Sequence, residues 1–436
     1  MAAKDLTGSG VLYTDRRDFY IDPQVVKELW TDVAPFTTVI SNQETRQTND
    51  PVFKMFEHRN PWVKQEFSSA TDVASLAAGD SESGAMDVDG IVGLNSSCDS
   101  SWIGLVCEVW DSTKTTKRGN VIVSSITDAN TIKYKNLMDA AVDVADNDVF
   151  VVVGNAHGEG TEAPDAWADE LQVAWNSTQI FKTPLEITGT LLQAALRGES
   201  SELARLRLQK NQEHKMQKEK AFLFGTRVGG TNLGDNLSGS SDDTFADGGR
   251  TDVANSAKIR TTYGMVPAIE NFGTSSGDDQ SIFTISASYT YSNFVDDMEK
   301  VFQYVPTSGV KKAFCGAGAL GYWSKMAGSE GFAGGSGWTV NLSDMKRDTL
   351  GFNYKILETP HGILQLIPTP ALRGPNNKFM LVVDESNMFH AQYRSPMYQT
   401  NIKTNNAYDG VKDQYFSDEG VGISLIESHN LFKITA

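Results

Sequence analysis

The chain of 436 residues reads as an α+β protein, and three stretches say so. One unbroken helical run, Ser201 to Gly225, stands near its middle. Ahead of that run, from Ile91 to Gly160, short β-rich segments recur between turn residues. Behind it, from Thr261 onward, lone helices alternate with strands without a repeated βαβ pattern.

The composition narrows the function classes. With 40% hydrophobic residues the chain has ample core for two or three domains. The formal charge of −17, from 38 basic and 55 acidic residues, argues against tight sequence-independent binding of nucleic acid or anionic lipid. It suits a wall that must not adhere to a polyanion beside it. Three cysteines, Cys98, Cys107 and Cys315, imply no disulfide framework and point to a reducing compartment. No apolar h-region or membrane-length apolar stretch is present, so a protein made and used in solution is expected.

In chain order, residues 1 to 17 are polar and expected to be mobile until docked. Asp22 to Asn42 predicts a short helix with Asp22 as cap, Pro23 at its first position, Val26, Leu29, Trp30 and Val33 on one side, and Pro35 ending it. Asp50 to Phe67 predicts two strands around Arg59-Asn60-Pro61, forming a projecting ribbon with mixed polarity on both faces. Ser68 to Gly90 has the composition of a loop. Within it Asp87-Val88-Asp89-Gly90 has the start of a calcium loop but lacks the later bidentate Glu. The runs WIGLVCEVW, GNVIVSSI, TIKYKNL and DVFVVVG predict a small all-β sandwich or barrel inserted at about 91–160. Glu170 to Thr183 is expected to return as the ribbon's second strand, and Pro184 to open a helix, PLEITGTLLQAALRG.

The central run has Ser200 or Ser201 as N-cap, Glu202 in its first turn and Gly225 as a left-handed stop. At about 1.5 Å per residue it makes a rod near ~36 Å long. Leu203 and Leu206 begin an apolar stripe and Met216, Phe222 and Leu223 end one, but Gln209 to Lys215 is polar all round. Such a helix bridges solvent or shares its face with a partner chain. Thr226 to Asp252 follows as a mobile loop, order returns at Thr261 to Gly273, and Ser292 to Tyr304 is an amphipathic helix. Val310 to Ala327 reads as strand, glycine turn and short helix, and strands follow at Phe352 to Leu357, Ile363 to Pro368, Lys378 to Val383, Met388 to Tyr393 and Gly420 to Ile434.

Two short motifs invite catalysis and fail on context. Gly316-Ala317-Gly318-Ala319-Leu320-Gly321 fits the dinucleotide fingerprint, but its helix is short and no second βαβ unit follows, so packing glycines are expected. Gly273-Thr274-Ser275-Ser276-Gly277 fits a hydrolase elbow, but the serine lies in a polar loop. The six histidines are scattered, and no P-loop, HExxH or Cys-x-x-Cys occurs. No catalytic, cofactor-binding or metal-ligating residue is assigned, and no cofactor is expected.

The sequence of arm, ribbon, rod, mobile loop, α+β domain and terminal strands resembles the major capsid (major head) proteins of tailed bacteriophages, the Hong Kong ninety-seven fold. The likeness rests on PLEITGTLLQAAL, ELARLRLQKNQEHKMQKEKAFLFG, TTYGMVPAI and KFMLVVDESNMFHAQYR. It implies an N-terminal arm at 1–49 and an E-loop at 50–183 carrying the β insertion. It further implies a P-domain spine helix and flexible loop at 184–260, an A-domain at 261–375 and C-terminal P-domain strands at 376–436. The insertion exceeds the family's simplest E-loop, and the lack of a long N-terminal extension of the built-in scaffold kind leads to the expectation of a separate scaffolding protein or none. No motif for Lys–Asn crosslinks is matched. The implied partners are copies of itself in hexamers and pentamers, separate scaffolding, portal and decoration proteins, and loosely held packaged DNA, with no membrane. The implied location is the virion, assembled in the host bacterial cytoplasm. Phe19, Tyr20 and Trp30 in the arm and Phe53, Phe56, Trp62 and Phe67 in the ribbon are the candidate inter-subunit anchors, because aromatics dominate interface energetics. An encapsulin-like nanocompartment shell is the alternative within the fold, and a nicotinamide-dependent oxidoreductase built on GAGALG is the alternative outside it.

Overall fold

The computed structural model describes residues 34–435 apart from 44, 59–64, 72, 80–81, 93, 95–96, 164–170, 195–200, 228–258, 277–279, 305–308, 328–340, 343–345, 348–352 and 403–408. The expectations for residues 1–33, including Phe19, Tyr20 and Trp30, for Trp62, and for most of the loop after the rod lie outside the described residues. The chain divides into two compact units, Glu57–Gln172 and the remainder. Helix and strand are mixed as the α+β class requires.

Helix α1 spans Pro35–Gln43. Pro35 therefore starts a helix where a stop was expected. A proline supplies the same fixed φ at a first turn as after a last one, and its missing N–H costs nothing at the first position. Phe36, Val39 and Ile40 lie on one face at helical spacing and are buried. Each buried side chain of this size contributes roughly 1.5–3 kcal/mol. Strand β1 (Thr45–Gln47) follows, then β2 (Val52–Glu57), in which Phe53 and Met55 point inward.

The Glu57–Gln172 unit is built on a closed six-stranded barrel. Its strands are β3 (Glu66–Ser69), β5 (Met86–Val92), β6 (Leu105–Trp110), β7 (Lys117–Asp128), β8 (Thr131–Asn136) and β10 (Val149–Asn155). Between them β4 (Val73–Leu76) pairs with β9 (Val142–Val144). Period-two alternation sends Cys107 and Val109, Val121 and Val123, and Ile132 and Tyr134 into the interior. The barrel thus begins at Glu66, ahead of the expected 91, and Ser68 to Gly90 is partly strand. Its small and acidic residues hide the fact that Phe67, Met86 and Val88 alternate inward. Asp87 stands in β5 and accepts a hydrogen bond from the Thr131 hydroxyl at 2.9 Å, so the calcium-loop resemblance has no loop behind it.

The expected return strand is present: β2 pairs with β11 (Gln172–Ser177), while the strand expected after Pro61, β3, lies in the barrel between β10 and β5. β12 (Gln179–Thr188) then runs straight through Pro184, and only Gly189–Gln193 is helical (α2). Because β12 is the edge of a four-stranded sheet, the ring of Pro184 removes no obligatory ladder donor. Phe181, Thr183, Leu185 and Ile187 alternate inward along it.

The rod is α3, Glu202–Phe224, with the Ser201 hydroxyl accepting from the Ala204 amide at its start. It ends at Gly225 in extended backbone, φ −60°, and not in a left-handed stop. Glycine is needed there because a Cβ would stand 2.5 Å from the Ala221 carbonyl oxygen and 2.6 Å from that of Thr262. Next come α4 (Met265–Phe272), β13 (Ile282–Ile285), α5 (Tyr291–Val301, with a Thr290/Asn293 capping box), β14 (Val310–Cys315) and α6 (Ala317–Ala327).

The remaining strands are β15 (Asn341–Leu342), β16 (Lys346–Arg347), β17 (Asn353–Glu358), β18 (Ile363–Pro368), β19 (Phe379–Val383), β20 (Met388–Gln399), β21 (Gly410–Ile423) and β22 (Asn430–Ile434). Gly420 to Ile434 is therefore not one strand. Leu425, at φ 49°, and a short 3₁₀ turn at Ile426–Ser428 move the chain from one sheet to another. Two sheets result, β1-β20-β21-β12 and a larger one ordered β13-β22-β19-β14-β18-β17-β15.

Candidate functional site

The polar middle of α3 is where the sequence expectation and the fold diverge most. Arg207, His214 and Lys218 recur at intervals of seven and four, which places them on one stripe of the helix. Opposite them β21 presents Asp413, Ser417 and Glu419, which share one face because their spacing is even. The two spacings match: His214 to Lys218 rises about 6 Å along a helix, and Ser417 to Glu419 about 6.6 Å along a strand. The stripe is thus covered by the chain's own sheet, and no partner chain is needed to explain it.

Each contact is specific. The Arg207 guanidinium meets the fully buried Asp413 carboxylate at 2.9 Å, and Asp413 also accepts from the Asn401 amide at 2.8 Å and from the Tyr398 hydroxyl. Burial alone would raise the Asp413 carboxyl, but these donors outweigh it and hold it below its ordinary value. Burial and the nearby carboxylate push the Tyr398 phenol up to about 12. Lys218 pairs with the buried Glu419 at 3.1 Å, and His390 approaches the same oxygen at 3.5 Å. Burial again works against Glu419, yet His390 and Lys218 keep it below the usual glutamate range.

His214 sits between these two pairs. The Thr183 hydroxyl donates to Gln217 Oε1 at 3.0 Å, so His214 Nδ1–H donates to Thr183 at 3.0 Å and Nε2 accepts from the Ser417 hydroxyl at 3.0 Å. Burial, aided by the Lys218 charge, lowers its pKa to about 4, and the imidazole is neutral. On the other face of β21, Asp418 is buried between Arg260 at 3.0 Å and Arg394 at 3.2 Å. The arrangement fastens a helix to a sheet. The Ser417 hydroxyl stands beside the imidazole, but both side chains are buried between helix and sheet and both ring nitrogens are engaged, so the contact serves packing.

The glycine motif is likewise structural. A Cβ on Gly316 would collide with the Asn377 carbonyl oxygen, and one on Gly318 would lie 2.9 Å from Asn377 Nδ2. The first amides of α6 are occupied as well. The Gly318 N–H donates to Asn377 Oδ1 at 3.0 Å and the Ala319 N–H to the Asn377 carbonyl at 3.2 Å. Those are the donors a pyrophosphate would need. In the elbow-like motif, Gly273 terminates α4, so Ser275 follows a helix where an elbow demands a strand.

The candidate anchors separate into two groups. Phe53 is buried against Phe389, with ring centroids 6.0 Å apart. Phe67 is buried in the barrel, stacked on Phe150 at 4.9 Å and tilted on Trp102 at 5.3 Å. Both therefore find apolar surroundings inside the chain. Phe56, on the opposite face of β2 from Phe53, is 77% exposed. The seam residues were missed because their partners lie some two hundred residues away. The one usable signal was the matched spacing of basic and acidic residues.

Residues 23–421 match the sequence profile described as SU10 major capsid protein. The chain belongs to that family. It is a major capsid protein, a structural subunit of a tailed-phage virion. No curated protein matches it significantly. Among solved structures, the capsid of a native GTA particle is similar at 10% identity over 100% of both chains, with a TM-score of 0.43. The SrpI encapsulin of Synechococcus elongatus PCC 7942 is similar at 9% identity over 62% of this chain and 77% of that one, TM-score 0.38. Mycobacterium phage Patience gives 12% identity, 65% and 78% coverage, and 0.37. Likenesses at that level carry no weight of their own, and membership rests on the profile. Among the described residues of this capsid subunit, no helix is long and apolar enough to cross a membrane.

Proposed function

We propose that copies of this subunit join into hexamers and pentamers and close an icosahedral head around the double-stranded DNA of a tailed phage. The profile match over residues 23–421 carries this reading. In it, residues 1–49 act as arm, 50–183 as E-loop with the β unit inserted, 184–260 as spine, 261–375 as A-domain and 376–436 as returning strands. Ring-forming, heterologous contacts suit a tile of this kind. A net charge of −17 suits an inner wall that holds packaged DNA loosely. The role is non-enzymatic, and assembly takes place in the host cytoplasm with separate scaffolding, portal and decoration proteins.

Expression of the full chain followed by light scattering and negative-stain microscopy tests the reading. Large closed particles are expected. A discrete small oligomer that binds NAD in calorimetry would overturn it. Deleting Asp15 to Trp30 should leave a soluble subunit that closes shells poorly, and normal particles from that deletion would remove the arm from the assembly role.

A further inference from the structure

Glu219 is a fully buried carboxylate in the last third of the long helix, and its partners come from the start of α1. Its Oε1 accepts from the Phe36 N–H at 3.0 Å, and its Oε2 accepts from the Thr37 N–H and the Thr37 hydroxyl, both at 2.7 Å. A helix start leaves amide donors without intrahelical partners and carries partial positive charge. Here Pro35 has no N–H, Phe36 and Thr37 are met by Glu219, and the Thr38 N–H closes onto the Ala34 carbonyl at 3.1 Å. The Phe36 and Thr37 amides of the first turn of α1 are thereby capped by a side chain more than 180 positions away in sequence. Burial pushes the Glu219 carboxyl up, while the Thr37 and Phe36 donors pull it down.

The segment after this cap is fixed by independent contacts. Phe36, Val39 and Ile40 enter the main core, with the Phe36 ring edge-on to Phe314 at 5.0 Å. β1 then pairs in parallel with β20. Residues Pro35–Gln47 therefore pack on the subunit's own body, so within the proposed 1–49 arm only the part before Ala34 is left to reach another copy.

We propose that Glu219 is a latch at the start of the described body: it pins the first turn of α1 to the long helix and so fixes the position and direction of the backbone at Ala34, a geometry that shell closure needs. That need rests on the shell-subunit reading, whereas the pinning does not. Glu219 is a positioning residue, acting through α1.

The test uses the full chain and compares Glu219→Gln, Glu219→Ala and the milder Thr37→Val with Phe283→Leu, a destabilised control from a separate core cluster. Hydrogen exchange is followed over residues 35–43 and 202–224, and particle yield by light scattering. With a latch, Glu219→Ala speeds exchange over 35–43 by at least about tenfold while 202–224 stays protected, Glu219→Gln does so less because one acceptor oxygen remains, and particle yield falls. Thr37→Val gives the same local pattern in smaller degree and serves if the Glu219 variants fail to fold. Unchanged exchange over 35–43, or selective opening there in Phe283→Leu, would refute the latch. Local opening with full particle yield would remove its role in assembly. Absence of particles from the unaltered chain would sink the shell reading instead, and the exchange data would still judge the latch.

Discussion

His214 on the long helix lies 3.0 Å from the Ser417 hydroxyl on β21 and 3.0 Å from that of Thr183 on β12, joining two strands of one sheet to the helix above them. The imidazole does this while neutral, with a pKa lowered to about 4 by burial and by Lys218. His429, fully buried and accepting from the Asp384 amide at 3.1 Å, is also held at about 4, by burial and by Lys311. In the unfolded chain both titrate near ~6.5. The folded pKa lies below the unfolded one, so the unfolded state binds more protons in that window. Stability is complete above about pH 6.5 and falls as pH drops toward ~4, by at most on the order of 3 kcal/mol per histidine. The raised carboxyl of Glu219 acts in the opposite sense and offsets part of the loss. Urea midpoints at pH 7, 5.5 and 4.5 should fall in that order, and His214→Gln should flatten the trend. A midpoint independent of pH would refute the neutral-imidazole seam.

The Lys218–Glu419 pair should respond asymmetrically. Glu419 is fully buried, so Lys218→Met strands a charge with only His390 nearby, at a cost of roughly 3 kcal/mol. Glu419→Gln removes the charge itself and should cost less, and the double variant Lys218→Met/Glu419→Leu should recover much of the first loss. A double-mutant cycle by urea unfolding measures this. Equal costs for the two single changes would show that the pair is solvated and weak.

Gly316→Ala should lower folding yield and stability by roughly 2–4 kcal/mol, because the new methyl meets main chain, which cannot rotate away. Gly321→Ala, in the same motif but with open space around it, should be tolerated and gain helix propensity. Thermal melts of the two variants decide. If both melt alike, the close approach of Asn377 is not what requires glycine at 316.

Legibility followed the range of the interactions. The long helix was readable to within a residue at each end, since propensity and the Ser201 cap are local. The strands β17 to β20 were placed for the same reason, whereas Gly420 to Ile434 was read as one strand where a turn separates β21 from β22. Proline was misread twice, Pro35 as a helix stop where it starts one and Pro184 as a helix start where it lies in an edge strand; its fixed φ suits all of these settings, and only pairing distinguishes them. The barrel's opening strands were missed because Ser, Ala and Asp on the outer face masked the inward alternation of Phe67, Met86 and Val88. The seam was hidden for a different reason. A helix that is polar all round looks solvated until a second element supplies Asp413, Ser417 and Glu419 at matching intervals.

Phe56 gives the most direct test of an anchor. It is 77% exposed, whereas Phe53 three residues earlier is buried against Phe389. Phe53→Ser should therefore destabilise the subunit by roughly 3–5 kcal/mol, as a lost core aromatic does. Phe56→Ser removes little burial within the chain and should shift the unfolding free energy by no more than about 0.5 kcal/mol. If a neighbouring copy covers Phe56, the same change weakens every equivalent contact of a closed particle at once. Even about 1 kcal/mol per contact, ordinary for an interface aromatic, would then suppress assembly strongly. The expected result is a subunit with an unaltered urea midpoint and a sharply reduced particle yield. Undiminished yield would place Phe56 on a surface that faces solvent in the shell, and would transfer the search for anchors to other exposed residues of the subunit.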